Sequence, residues 1–292
     1  MRFLFLGLCL LPAVLAAKPV STPLLSVSEE QATVQLEQAQ KGLSGVIVRH
    51  FNDEHSAIIA NATITDYETA TKTARLALAP YDGLKQNSLP KGDWSPKEGD
   101  EAVMAPDYSR ALLIAPDNVV YDRITSAFRS LTWVHPDRYA AYLSISGHPT
   151  PTQEDFSGFC TDNAVGLLYV YLEHSLFTLD CKSLSLLQVS NAPVVYDHVN
   201  LPFYTRVENI REALWGEGSD QLTRYAPYYL KLIDEYNEGS PLMAQYRRNA
   251  ADSSFKRDST EPEGEAKRSW FGGLFDFVDD IEIGLESDNE QE

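Results

Sequence analysis

The chain has few basic residues and few cysteines, and each shortage argues against a class of protein. It carries 24 Lys and Arg against 42 Asp and Glu, a formal charge of −18 at pH 7. Nucleic acids and anionic lipids would repel such a chain, so we expect neither as a ligand. Three of the 292 residues are cysteine and no Cys-x-x-Cys pair occurs, which argues against a redox-active dithiol site.

Familiar catalytic motifs are also missing from the sequence. There is no GxSxG, GxGxxG, P-loop or HExxH pattern. The densest group of possible metal ligands is His135, Asp137 and His148, near Glu154 and Asp155. Prolines stand beside both histidines, which suits turns and helix starts better than a metal site. We therefore expect a protein that is not an enzyme and uses no metal or cofactor.

An apolar run occurs at the start of the chain. Arg2 is followed by FLFLGLCLLPAVLA, which ends at Ala16. This pattern is typical of a secretory signal peptide, residues 1–16, cleaved after Ala16. The run is too short to span a bilayer permanently, and an uncleaved N-terminal anchor is the alternative. The sequence thus predicts an exported protein whose mature chain has no permanent membrane span.

Cleavage would also leave Cys160 and Cys181 as the two cysteines of the mature chain. In an exported protein such a pair favours a disulfide. The bridge would close a loop of about 22 residues and stabilise the fold by about 3 kcal/mol. The alternative is two buried thiols whose geometry does not allow them to meet.

The remaining pattern predicts an α+β fold built from a small β-barrel and an α/β unit. Residues 17–41 read as a leader, with one strand over 32–37. Residues 42–115 contain five short runs rich in branched side chains, separated by turns, and closure into a barrel would remove their unpaired edges. The predicted strands are 45–48, 57–60, 75–78, 101–105 and 110–115.

From residue 116 to 190 the hydrophobic period changes to that of an α+β unit. Asp117 can cap a first helix and Pro136 can begin a second. Thr152 opens a capping box before a third. Residues 165–172 are apolar on both faces and predict a buried strand, which forms a hairpin with residues 176–181.

A helical appendix is predicted over residues 200–249, followed by a disordered acidic tail over 250–292. In the first appendix helix Val207, Ile210 and Leu214 would share a face. A second is predicted over 222–236, with Pro227 kinking it or breaking its first turn. From residue 250 onward there are thirteen acids and four bases, so we place a boundary near Asn249.

Within the tail, residues 269–285 have apolar side chains three or four positions apart. One face of such a helix would be apolar and the other acidic, which favours docking into a partner's groove. The alternatives are that the segment folds back onto its own domain or stays disordered. The candidate partner-binding residues are Trp270, Phe271, Leu274, Phe277, Val278, Ile281 and Leu285.

Several longer stretches resemble a known family. They are GLSGVIVRHF, the Gly99-Asp100 pair, RALLIAPDNVVYDRI, WVHPDRYAAYLSISGHPTPTQEDFSGFC and VGLLYVYLEHSLFTLDCKSLSLL. Together they resemble the N-terminal domain of the plasminogen-binding protein A family, exported surface proteins of spiral Gram-negative bacteria. The family-like region covers residues 42–190. The resemblance implies a periplasmic or cell-surface location and a non-enzymatic role in binding host plasminogen.

The chain departs from that family at its end. Family members are thought to present a C-terminal lysine to plasminogen's kringle domains, whereas this sequence ends in DNEQE. The family's binding residues do not carry over to this chain, and an internal lysine such as Lys256 or Lys267 is the candidate substitute. The alternative function is a periplasmic structural or assembly factor that docks an envelope protein through residues 269–285.

Overall fold

The computed structural model describes residues 19–81, 83 and 94–258, with the backbone alone for 251–258. Within that part of the chain it contains twelve β-strands and five α-helices. The strands are Val20–Pro23 (β1), Ser26–Val27 (β2), Gln31–Gln35 (β3), Ser44–Asn52 (β4), His55–Glu68 (β5), Thr73–Pro80 (β6), Glu101–Met104 (β7), Arg110–Ile114 (β8), Thr132–Val134 (β9), Leu167–Leu172 (β10), Ser175–Asp180 (β11) and Leu186–Asn191 (β12). The helices are Asn118–Ala127 (α1), Pro136–Ser146 (α2), Gln153–Asn163 (α3), Tyr225–Glu235 (α4) and Pro241–Asp258 (α5). None of the described helices is long and apolar enough to cross a membrane.

Seven strands form an antiparallel sheet that curls into a half-barrel, in the order β1-β7-β4-β5-β6-β3-β2. Its two edge strands, β1 and β2, follow each other along the chain, so the short link between them bends from one edge to the other. The Leu24 N–H donates to the Asp100 carbonyl at 2.8 Å, while the Leu25 N–H donates to the Thr33 carbonyl at 2.8 Å. This curl turns the apolar side chains of alternate positions, such as Val34 and Ile47, into one core.

A second sheet has five strands in the order β12-β11-β10-β8-β9. Strand β8 pairs in parallel with both β9 and β10, while β10, β11 and β12 form an antiparallel meander. Helix α1 connects β8 to β9, and α2 and α3 connect β9 to β10. All six residues of β10 are buried. A central strand covered on both faces needs such a continuous apolar run.

Alternate residues of the second sheet belong to two different cores. On β8, Leu113 packs with the half-barrel, whereas Leu112 packs with the helices. On β10, Tyr169 and Leu168 divide in the same way. Successive side chains of a strand point to opposite faces, so the second sheet forms the middle layer, with the half-barrel and α1 on one face and helices α2 to α5 on the other.

Asp180, at the end of β11, joins the half-barrel to the second sheet. Its Oδ2 accepts hydrogen bonds from the backbone N–H and hydroxyl of Ser44, at 2.9 and 2.6 Å, and from the Tyr108 hydroxyl at 2.7 Å. Its Oδ1 accepts from the backbone N–H groups of Lys182 and Ser183 at 3.0 and 2.8 Å. The Asp180 side chain is fully buried, and these five donors replace the water it gives up.

The helix ends follow the capping residues in the sequence. Asp117 accepts from the Val120 N–H at 2.8 Å and begins α1. Thr152 and Asp155 form a reciprocal capping box at the start of α3. Pro136 occupies the first turn of α2, and Gly147 ends it in a left-handed conformation with φ of 75°.

A disulfide joins Cys160 on α3 to Cys181 just after β11, with the two Cα atoms 6.0 Å apart. This is the pairing predicted from the sequence. Both residues are fully buried, so the bridge ties a helix to the second sheet inside the helical core.

The strand assignments differ from the prediction in two places. The predicted leader, residues 17–41, supplies three strands of the half-barrel rather than one. β1 and β2 contain no buried residue, and β3 buries only Ala32 and Val34 between polar neighbours. The predicted fifth barrel strand, 110–115, is β8 and lies in the second sheet instead, because residues 105–109 turn the chain away and β8 pairs with β9 and β10.

The appendix also differs from the prediction. Residues 192–224 contain no helix or strand, so the predicted helix through Val207, Ile210 and Leu214 is wrong. Ile210 is buried but Leu214 is 92% exposed, which shows that the three side chains do not share a buried face. The second predicted helix exists as α4, with Pro227 in its first turn. Helix α5 continues past the boundary expected near Asn249.

Candidate functional site

The Lys97 turn, residues 94–101, combines an exposed lysine with an exposed tryptophan, Trp94. It leads into β7, whose first residue, Glu101, pairs with Val48 of β4. The turn therefore lies beside the outer end of the β4–β5 hairpin. A shallow depression of about 230 Å³ lies between the two and includes Arg49, Lys97 and Asp100 in its lining.

A buried ion pair holds the turn against β4. The guanidinium of Arg49 donates from Nε to Asp100 Oδ1 at 2.9 Å and from Nη2 to Asp100 Oδ2 at 2.6 Å. The same Nη2 donates to the Ser95 carbonyl at 2.8 Å. The two side chains are 12% and 4% exposed. A two-point contact of this kind fixes direction as well as distance.

The contact between Arg49 and Asp100 shifts the pKa values of both side chains. Burial alone would raise the pKa of Asp100, but the hydrogen bonds from Arg49 and from the Lys97 backbone outweigh it and hold that pKa below its usual value. The Asp100 hydrogen bond raises the pKa of Arg49. Both groups therefore stay charged at neutral pH, and the Arg49 charge is already neutralised inside the protein.

Backbone hydrogen bonds complete the support of the turn. The Lys97 N–H donates to Asp100 Oδ2 at 2.8 Å, and the Asp100 N–H donates back to the Lys97 carbonyl at 3.1 Å. The Gly99 N–H donates to the Leu24 carbonyl at 3.0 Å. Gly99 has a φ of 85°, a conformation that favours glycine. Lys97, Glu98 and Gly99 are exposed at the outer surface of this braced turn.

Two exposed aromatic rings meet here, Trp94 at the start of the turn and Phe51 near the end of β4. Trp94 and Phe51 meet edge to face with ring centroids 5.0 Å apart, and they are 47% and 46% exposed. The Arg49 guanidinium carbon lies 6.0 Å from the centre of the Trp94 ring, within reach of a cation–π contact. The rings give this side of the half-barrel an apolar surface beside a lysine.

Two other described lysines, Lys72 and Lys182, already have a carboxylate partner. Lys72 forms an ion pair with Glu37, and Lys182 lies 3.9 Å from an Asp107 carboxylate oxygen. Lys97 follows the exposed Trp94 by three residues and is held in place through its backbone. The arrangement is chemically suited to binding: it offers a cation and an aromatic surface to a partner with an acidic pocket.

The predicted cluster of histidines and acids divides into two separate pairs at opposite ends of α2. His135 caps α2 by accepting from the Asp137 N–H at 3.2 Å. His148, just after the helix, lies 2.8 Å from the Asp155 carboxylate. Across residues 19–81, 83 and 94–258, no three His, Cys, Asp or Glu side chains come close enough to hold a metal ion.

The neighbours of these carboxylates explain the separation. Asp137 also accepts from Thr205 Oγ1 at 2.8 Å and from Arg206 Nε at 2.6 Å. Burial would raise the pKa of Asp137, but these bonds and the Arg206 N–H lower it. Asp155 belongs to the α3 capping box with Thr152. Each carboxylate is thus used to anchor a helix start.

Most of the other predicted site residues fall outside the part of the chain that the structure describes. Lys256 lies on α5, where only the backbone is described. The signal-peptide cleavage site and the amphipathic segment lie outside the described ranges, as does one candidate lysine. These residues are Ala16, Lys267, Trp270, Phe271, Leu274, Phe277, Val278, Ile281 and Leu285.

Sequence reasoning did not identify Lys97, Trp94 or the Arg49–Asp100 pair as a site. One signal was present: Arg49 interrupts an apolar strand, and such a charge needs a partner when its strand is buried. Asp100 was noted only as part of a family motif. Nothing in the sequence says that these two residues, 51 positions apart, meet.

Comparison with known proteins places this fold in a family. Residues 19–233 match the family model described as the plasminogen-binding protein PgbA N-terminal region. The chain belongs to the PgbA N-terminal family. The matched residues include the Lys97 turn, both sheets and most of α4, and they extend beyond the 42–190 expected from sequence motifs.

Two curated relatives, both from Helicobacter pylori, carry the name plasminogen-binding protein PgbA. The protein of strain J99 is 24% identical over 195 residues, and that of strain 26695 is 24% identical over 197 residues. Each alignment covers 66% of this chain but 42% of the relative, so the match spans less than half the length of these relatives. No solved structure matches the chain significantly.

Proposed function

We propose that this protein is an exported, non-enzymatic binding protein for plasminogen, and that Lys97 is its contact with a kringle domain. Family membership supports the partner, since two relatives are named for plasminogen binding. The observation that carries the choice of residue is an exposed lysine on a braced turn beside an exposed tryptophan.

The chemistry of the turn suits such a partner. A kringle lysine site is anionic at one end and requires a cation. Lys97 supplies that cation. Within the described ranges Lys97 forms no ion pair with another side chain, so no such pair has to break before it binds. Because the backbone on both sides of Lys97 is already ordered, binding costs less conformational entropy than it would in a free segment. The adjacent Trp94 and Phe51 offer apolar area around the contact.

The binding contribution of Lys97 is tested by comparing two lysine variants. Lys97→Ala should weaken plasminogen binding at least about tenfold, as expected for a central contact residue. Lys231→Ala is the matched control: this lysine is also exposed, but it lies on α4, and its loss should leave affinity unchanged. Circular dichroism checks that both variants keep the fold.

Equal affinity of Lys97→Ala and the unaltered protein would contradict the choice of residue. Lys256 and Lys267 are the other proposed contacts, and their alanine variants are measured in the same assay. Loss of binding in either of them, with Lys97→Ala unaffected, would move the contact to the C-terminal part of the chain.

A second proposal is an envelope structural or assembly factor that docks a partner through residues 269–285. The observation that favours it is the apolar spacing from Trp270 to Leu285 with acids between. Deleting residues 268–292 should then abolish recovery of an envelope partner while plasminogen binding, if present, persists. Equal recovery with and without the segment contradicts this second function.

Export itself rests on residues 1–16 and remains part of the proposal. A membrane-impermeant amine reagent applied to intact cells should label exposed Lys97 if the protein reaches the cell surface. Labelling only after the outer membrane is permeabilised would place the protein in the periplasm. Accumulation of the uncleaved chain in the cytosol would contradict export.

A further inference from the structure

The Trp215 tip, residues 213–218 with Ile145 beside it, carries the most exposed large apolar side chains of the described chain. Leu214 is 92% exposed, Ile145 is 88% exposed and Trp215 is 82% exposed. Ile145 is the next-to-last residue of α2, two positions before Gly147. Gly147 touches Ala213, so the loop carrying Leu214 and Trp215 leaves the body of the protein beside the end of α2.

Hydrogen bonds hold the tip at both ends. The Ala213 N–H donates to the Gly147 carbonyl at 2.9 Å. On the other side, the Thr150 N–H donates to the Gly218 carbonyl at 3.1 Å and the Thr150 hydroxyl to the Asp220 carbonyl at 2.6 Å. The tip is thus presented by an anchored loop rather than by a free chain end.

Close packing beneath the tip fixes the same geometry. Gly147 and Gly218 have φ values of 75° and 80°. A Cβ at Gly147 would lie 2.8 Å from the Ala213 backbone nitrogen, and a Cβ at Gly218 would lie 2.8 Å from the Thr150 carbonyl oxygen. Both contacts require glycine, so the sequence is adapted to bring this loop against α2.

The fold gains little from exposing leucine, isoleucine and tryptophan together. Exposed apolar side chains rimmed by polar residues mark interaction sites when they are neighbours, as the consecutive Leu214 and Trp215 are, and tryptophan is prominent among the residues that dominate binding energy. Because the backbone is anchored, burying these side chains against a partner costs little ordering of the loop.

The charges around the tip select the kind of partner. Between residues 208 and 220 there are four exposed acids and one base, Arg211. The acids are Glu208, Glu212, Glu217 and Asp220. An anionic membrane would be repelled by this rim, and a second copy would bring the same acidic rim and a formal charge of −18.

We propose that the Trp215 tip docks into an apolar pocket with a basic rim on a partner protein. Trp215 and Leu214 fill the pocket, and the surrounding carboxylates meet Lys or Arg side chains at its edge. This contact is independent of Lys97, which lies on the half-barrel, whereas the tip lies against α2.

A peptide-display selection on the full chain tests the proposal with a defined probe. A random peptide library is selected on the unaltered protein and counter-selected on the Leu214→Ser, Trp215→Ser double variant. The surviving peptides should carry a net positive charge and at least one large apolar residue. Trp215→Ala should weaken their binding at least about tenfold, and raising the salt concentration should weaken it further.

Val195→Ser is the matched control, since Val195 is 78% exposed on another loop and its replacement should not affect these peptides. Failure to select any peptide that distinguishes the double variant would overturn the proposal, as would discriminating peptides that are neutral or acidic. Trp215-dependent binding to phosphatidylglycerol vesicles, or Trp215-dependent self-association, would replace the proposed partner with a membrane or a second copy. All of the substituted side chains are highly exposed, and thermal unfolding verifies that each variant is folded.

Discussion

Replacement of Asp180 by alanine should lower the free energy of unfolding by about 3–5 kcal/mol. Asp180 is fully buried and accepts five hydrogen bonds from groups that the chain brings together from three separate segments. Removing the carboxylate leaves both Ser44 donors and the Tyr108 hydroxyl without an acceptor. Each unpaired buried donor costs about 1–3 kcal/mol, and a water entering the space left by the side chain recovers part of that cost.

The Tyr108 hydroxyl cannot avoid this cost by ionising. Burial is the largest cause that raises the pKa of Tyr108 well above its usual value, and it does not depend on the Asp180 side chain. Asp180→Asn keeps the shape of the side chain but presents an amide N–H group to one set of donors. Asp180→Asn should therefore be destabilising as well. Because it leaves no cavity, its loss of stability reports the hydrogen-bond effect alone.

Urea unfolding, followed by tryptophan fluorescence and by far-ultraviolet circular dichroism, measures the change. The urea concentration at the midpoint should fall while the m-value stays constant. The fluorescence and circular dichroism curves should coincide, as expected for a single two-state transition. Asp53→Ala, in the exposed β4–β5 turn, should change stability by less than about 0.5 kcal/mol. A loss below about 1 kcal/mol in Asp180→Ala would refute the role assigned to this carboxylate, because even a single unpaired buried donor costs that much.

Three further predictions concern the disulfide, the ion pair and a buried tyrosine. The double variant Cys160→Ser, Cys181→Ser should lose about 3 kcal/mol in urea unfolding, since the bridge closes a loop with a sequence separation of 21 residues; an unchanged midpoint would contradict this. The folded pKa of Asp100 is depressed, so its contribution is present above the unfolded value of about 4 and is lost as the pH falls through the folded pKa. Acid titration of stability should accordingly be flatter for Asp100→Asn, which cannot titrate against Arg49, and identical profiles would count against the pair. Tyr225→Phe should lose about 1 kcal/mol in thermal unfolding, because its buried hydroxyl lies 3.0 Å from the carbonyl oxygens of Ile114 and Tyr171; unchanged stability would show that this contact is dispensable.

Local signals in the sequence predicted the helix starts and the central strand well. Thr152 carries the capping box, Asp117 begins α1, and the apolar run of β10 is buried on both faces. These features depend on contacts between residues that are close in the sequence, and such contacts do not depend on the rest of the fold. The same holds for the turn between β4 and β5, where the Asn52 side chain accepts from the His55 N–H at 2.8 Å.

Pairings between distant segments were less predictable. β8 has the composition of a barrel strand, and only its parallel register with β9 and β10 assigns it to the second sheet. β1 and β2 are too short and too exposed to carry a clear alternation, yet they form the two edges of the curled sheet. β1 takes its place by pairing with β7, which is distant in the sequence, whereas β2 pairs with the nearby β3.

The candidate site was missed for the same reason. The Lys97 turn depends on Arg49 reaching Asp100 across a strand pair, and on Leu24 accepting from Gly99. The helical spacing of Val207, Ile210 and Leu214 predicts a helix that would include Leu214 of the Trp215 tip. The structure uses Ile210 in the core and leaves Leu214 exposed, a choice that spacing alone does not determine.

Equilibrium binding of the unaltered full chain to immobilised plasminogen, with and without a free lysine analogue, tests the proposed function most directly. We expect saturable binding that the analogue abolishes, since the analogue and the protein's lysine compete for the same anionic kringle pocket. Absence of binding at micromolar protein, or binding that the analogue leaves unchanged, would contradict a lysine-mediated function for this protein.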